Sequence, residues 1–128
     1  MKTFLSFIIV SMLTVMAVPA HASTAVQIFA CEEGENASEE KIEELASKWL
    51  KAAKTMKGGA NLQAFIYYPS AANMKTGDLL FMVQAPSHAE WGQFWDGYKD
   101  SPAEKADAES RDIVLCPDSN LFEVVKVN

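Results

Sequence analysis

Two short runs, LQAFIYY at 62–68 and DLLFMVQA at 78–85, are apolar at nearly every position. Both are rich in β-formers and are joined by a loop holding Pro69 and Gly77, so they read as consecutive strands. Neither alternates between apolar and polar residues. A strand apolar on both sides needs both faces of its sheet covered. One face can be covered by the chain's own helices. The other needs a partner sheet, and no residues remain to build one. The imbalance argues for a homodimer.

The rest of the chain supplies the helices and the outer strands. TAVQIFAC (24–31) reads as a first strand, followed by a polar loop EEGENA. Ser38 is a credible N-cap, with Glu39 and Glu40 in the first turn and Lys51, Lys54 and Lys57 toward the far end. Ile42, Leu45, Trp49, Leu50, Ala53 and Met56 recur at three- and four-residue steps. They mark an amphipathic helix stopped by Gly58-Gly59. Ser87 and Glu90 form a capping box that opens a second helix. On it Trp91, Phe94, Trp95 and Tyr98 fall at i, i+3, i+4 and i+7, one stripe on one face. Gly92 and Gly97 weaken that helix, and each points to close packing or a distorted end. SPAE (101–104) is a second capping box, with Pro102 in the first helical position. DIVLC and NLFEVVKV (120–127) close the chain as strand.

The order is β-α-β-β-α-β, an α+β, ferredoxin-like arrangement whose antiparallel sheet sets the last strand beside the first. There are no repeats or low-complexity tracts.

The first 22 residues read as a signal peptide. Lys2 is the positive n-region, FLSFIIVSMLTVMAV is apolar, and Ala20-His21-Ala22 places small residues at −3 and −1 of a cleavage site. The apolar run is short for a membrane span and no second one follows, so no membrane contact is expected after cleavage. Residues 23–128 then form a single domain, secreted or periplasmic, in which His88 is the only histidine. The full chain carries 17 acidic against 11 basic residues, and losing Lys2 makes it more acidic still. Nucleic acid is excluded as a partner on that charge. In an oxidising compartment the two cysteines, Cys31 and Cys116, pair most simply as a disulfide. The ferredoxin-like order brings the end of strand one to the start of strand four, where these two residues stand. A loop of that length stabilises a domain by roughly 4–5 kcal/mol in the chain-entropy account.

With its elements placed, the chain resembles the dimeric α/β-barrel superfamily, best known for the antibiotic-biosynthesis monooxygenase (ABM) domain. The likeness rests on element order and on a local pattern. That pattern is strand LLFMVQA, then HAEWGQFWDGYKDSPAEKA with its aromatics and a Ser-Pro before another helical turn. The resemblance implies sheets paired into a barrel, with a ligand cavity between each sheet and its helices. It also implies a choice of activities, from cofactor-free oxygenation to haem degradation and isomerisation. The haem-degrading branch places a histidine one turn after the Ser-Pro. Lys105, Ala106, Asp107 and Ala108 stand there instead, so a haem enzyme of that type is not expected.

Candidate chemistry is thin. His88, in the first turn of the aromatic helix, could act as a general base, or simply face solvent beside its cap. Trp91, Phe94, Trp95 and Tyr98 could line an apolar cavity or be plain core. Tyr67 and Tyr68 point to opposite faces of strand two, one toward the helices and one toward the dimer interface. The acidic run Glu32, Glu33, Glu35, Glu39 and Glu40 lacks the spacing of a calcium loop. No metal site and no cofactor are expected. The expectation is an exported dimer binding a small apolar or aromatic molecule between sheet and helices. Two alternatives stand beside it. One is a cofactor-independent monooxygenase or isomerase using His88, and the other is an interaction module without catalysis.

Overall fold

The computed structural model describes residues 23–71 and 78–127. The signal segment and its cleavage site after Ala22 lie outside the described residues, as does Gly77. The elements run β1 (Thr24–Glu33), α1 (Glu39–Ala53), β2 (Gln63–Tyr67), β3 (Leu79–Ala85), α2 (His88–Asp96), α3 (Pro102–Ser110) and β4 (Val114–Val124). All strand pairs are antiparallel, in the order β2-β3-β1-β4. This is the ferredoxin-like α+β arrangement that the element order implied.

Each helix starts at the serine that the sequence marks. Ser38, Ser87 and Ser101 accept from the backbone N–H groups of Lys41, Glu90 and Glu104. Glu104 in turn accepts from the Asp100 N–H, closing the second box one residue early. Helix α1 ends at Ala53, short of the glycines, and the chain descends through turns accepted by Ala53 and Met56. Gly58 is required there for two reasons. Its φ is 77°, and a Cβ would lie 2.3 Å from the Glu90 carbonyl oxygen, because α2 rests on this turn. Gly97 caps α2, as a distorted end would have it. Gly92 does not mark close packing, however: nothing approaches within 4 Å of its Cβ position, and it faces solvent.

The closing segments form one strand. Pairing of β4 with β1 is interrupted only by a register shift between Ala30 and Glu32. Pro117 lacks an N–H, which an edge strand tolerates. Cys31 and Cys116 form a disulfide across this irregular point.

The register assigns each strand residue to a face. Phe29 opposes Phe81, Gln27 opposes Val83, and Ala64 and Ile66 continue the same face onto β2. The helices lie on that side. Trp49 meets Phe81 edge-on at 5.5 Å, and the Trp91 indole donates to Gln27. The other face carries Ile28, Met82 and Phe65 in one row, with Leu80 and Tyr67 in the next. No described helix packs against it, and Phe65 and Tyr67 remain 42% and 48% exposed. Both faces of the central strands are thus apolar, and the described residues cover one. No helix of the described residues is long and apolar enough to cross a membrane.

Candidate functional site

The helix-covered side is not packed evenly. Toward one end, Trp91 and Phe94 stack at 5.3 Å and are sealed by Leu62, Val83, Ala103 and Ala106. Toward the disulfide, the layers part around a cavity of about 340 Å³, within the range that holds small molecules. Its floor is the odd-numbered face of β1 and β3, with Phe29, Leu79 and Phe81. The periodicity of α1 turns Ile42, Leu45 and Trp49 toward it from above. Trp95 and Tyr98 stand at one side, their rings 4.5 Å apart, and the Cys31–Cys116 bridge with Val114 and Leu115 closes the other.

Polar groups gather at the rim on α3 and the residue after it. Arg111 pairs with Asp107 at 3.1 Å, and the Ser110 hydroxyl donates to the Asp107 carbonyl at 2.7 Å. Lys48 and Glu109 form an ion pair that ties α1 to α3. Tyr98 is the polar group closest in character to the apolar walls. Its phenol oxygen accepts a long hydrogen bond from the Trp49 indole N–H, at 3.4 Å. Burial raises the Tyr98 pKa above the ordinary phenol value. The Trp49 hydrogen bond opposes that shift, Asp107 and Glu104 add to it, and Arg111 opposes it. The phenol is therefore protonated through the neutral range.

The aromatic stripe divides. Trp95 and Tyr98 line the cavity, whereas Trp91 and Phe94 are 3% and 0% exposed and belong to the sealed core. Tyr67 lies on the open sheet face beside Leu80. Tyr68 lies on the opposite side, its hydroxyl directed at the Glu39 carbonyl at 3.4 Å. It borders a shallower hollow between α1 and β2. Burial, and then Glu43, Glu39 and Glu33, raise its pKa. His88 is exposed, does not line the cavity, and has no hydrogen-bonded or charged partner among the described residues. The structure thus brings Trp95 and Tyr98 together with the disulfide, and leaves His88, Tyr67 and Tyr68 elsewhere. Phe29, Phe81, Asp107, Ser110 and Arg111 were not among the candidates from sequence. The i,i+4 pair Asp107–Arg111 is the one local signal that could have drawn attention to the rim.

No family model matches the chain, and no curated protein matches it. Two solved structures are similar in outline. One is a dimeric ferredoxin-like protein of unknown function from Thermobifida fusca. It is 13% identical with a TM-score of 0.49, over 82% of this chain and 92% of that one. The other was assigned provisionally as a chlorite dismutase. It is 12% identical with a TM-score of 0.42, over 78% of this chain and 43% of that one.

Proposed function

We propose that this chain is an exported homodimer that binds a small, largely apolar molecule between its sheet and its helices. The observation that carries the reading is the cavity beneath Trp49, with aromatic and aliphatic walls and polar groups confined to one rim. A packed core fills such space, since each unfilled cubic ångström forfeits dispersion contacts. Here the polar side chains at the gap are engaged elsewhere, Asp107 with Arg111 and Ser110 with the α3 backbone, so they do not collapse into it.

Binding is favoured over turnover because His88 is not positioned by any partner among the described residues, and a general base needs one. The dimer is supported by the apolar open face, where Phe65, Tyr67 and Phe122 would be covered by a second sheet packed about 10 Å away. The disulfide supports export, since such bonds persist in oxidising compartments.

Native mass spectrometry of the protein, purified without denaturant from the compartment it is exported to, tests all three parts. The expected species is a dimer carrying extra mass, with the cystine intact and residues 1–22 missing. A monomer that stays monomeric at high concentration overturns the sheet-to-sheet pairing. Failure of every apolar probe to bind overturns the cavity reading.

A further inference from the structure

The hydrogen bonds at the rim leave one donor over. An indole N–H can only donate, so the Trp49–Tyr98 contact occupies the phenol oxygen as acceptor and directs the phenol proton elsewhere. The acidic residues that act on it electrostatically each have a partner of their own. Asp107 Oδ2 takes the Arg111 guanidinium, the Asp107 carbonyl takes the Ser110 hydroxyl, and Glu104 Oε2 takes the Asp100 N–H. Among the described residues no acceptor receives the Tyr98 O–H. A bound acceptor that meets this donor beside apolar walls adds one net hydrogen bond to its affinity.

Charge narrows the choice further. The rim's cation and anion, Arg111 and Asp107, already neutralise each other at 3.1 Å. A charged ligand reaching past that exposed pair would bury an unmatched charge against Phe29, Ile42 and Leu79, whereas a neutral one meets no such cost.

Building on the cavity-binding reading, we propose that the ligand class is a neutral apolar molecule with one carbonyl oxygen, and that Tyr98 selects it by donating to that oxygen. Trp49 acts as a positioning residue: its indole holds the phenol oxygen so that the proton faces the cavity. The apolar walls bind the ligand's body, and the phenol distinguishes a carbonyl compound from a hydrocarbon of the same shape.

Three probes of one size test this: acetophenone, cumene, which replaces the carbonyl by an apolar branch, and benzoate. Binding is followed on the native, disulfide-oxidised protein by the indole N–H resonances in ¹⁵N spectra. Trp49 and Trp95 report the cavity, and Trp91, bonded to Gln27 away from it, reports an intact fold. Acetophenone is expected to shift the Trp49 and Trp95 signals. Tyr98→Phe is expected to weaken acetophenone about fivefold, the factor one net hydrogen bond supplies, and to leave cumene unchanged. If Tyr98→Phe disturbs the Trp91 signal, the unaltered protein still decides. The ¹³C carbonyl resonance of bound acetophenone moves downfield of its value in hydrocarbon if Tyr98 donates to it, and equality with that value overturns the proposal.

Acetophenone and cumene both binding, with neither affected by Tyr98→Phe, overturns the carbonyl selection while the cavity reading stands. Benzoate binding more tightly than acetophenone, and losing that advantage in Arg111→Gln, overturns the neutral class. No probe moving Trp49 or Trp95 overturns the selection and the cavity reading together.

Discussion

Trp91 and Trp95 stand four residues apart on one helix stripe, yet they differ sharply. The first is 3% exposed and the second 38%. The two ends of the sheet–helix interface differ in the same way. At the Trp91 end, α3 turns Ala103 and Ala106 inward, and such small residues let the helix close onto the core. One turn further on, the residues that reach the cavity rim are Asp107 and Ser110 on α3 and Arg111 just after it, whose polar groups cannot be buried against Phe29 and Phe81 without cost. The layers stay apart there. A single helix thus seals one end and holds the other open, by changing from alanine to polar side chains within one turn.

The strongest way to break the comparison is to remove the bridge that closes the open end. Cys31→Ser with Cys116→Ser is expected to lower unfolding free energy by about 4 kcal/mol, read from urea midpoints. Amide exchange should rise first in β4, and uniform exchange along the sheet would show that the bridge does not restrain that end in particular.

Next comes a matched pair of truncations. Phe94→Ala should cost about 4 kcal/mol, because it empties a fully enclosed site. Trp95→Ala should cost about 1 kcal/mol or less, yet abolish the binding of apolar probes. Equal losses in chemical denaturation would erase the difference between the two ends.

A filling substitution sharpens it. Ala46 lines the cavity from α1, and Ala46→Phe should close the space while changing stability by no more than about 1 kcal/mol in either direction. A destabilisation of about 3 kcal/mol would instead indicate overpacking, and so a site without room.

The smallest effect is a pH dependence. Burial raises the Tyr98 pKa in the folded chain above that of the unfolded one. The native state therefore holds this proton more tightly, and the associated stability is complete below about pH 10, the unfolded phenol value. It is lost as pH climbs through the higher folded value. Alkaline titration of unfolding should show a decline in the parent that is shallower in Tyr98→Phe. Parallel curves would mean that Tyr98 is no more buried than a free phenol.

Much of this was legible along the chain. Ser38, Ser87 and Ser101 act within their own first turns, so their caps are local facts that a sequence displays directly. The stripe Trp91–Phe94–Trp95–Tyr98 is equally plain, because 3.6-residue periodicity selects a face. Depth within that face is not periodic: it depends on which residues of α3 and β1 arrive opposite, and those come from distant segments. Gly92 was misread for the same reason. Its cost to the helix is intrinsic, whereas whether anything packs against it is a tertiary question. The two pieces of β4 become one strand because β1 pairs with both, something Pro117 conceals locally.

By itself the sequence determined the order of elements, the helix starts, the paired cysteines and the apolar character of both sheet faces. Each follows from short-range hydrogen bonding, side-chain periodicity or chain topology. Tertiary structure alone decided that Trp95 and Tyr98, not Trp91 and Phe94, border a cavity. It also gave the Tyr98 phenol an indole donor from α1 and a rim of matched charges from α3. Those neighbours lie 49 and about 10 residues away along the chain, and only packing the helices on the sheet brings them within hydrogen-bond or Coulombic reach.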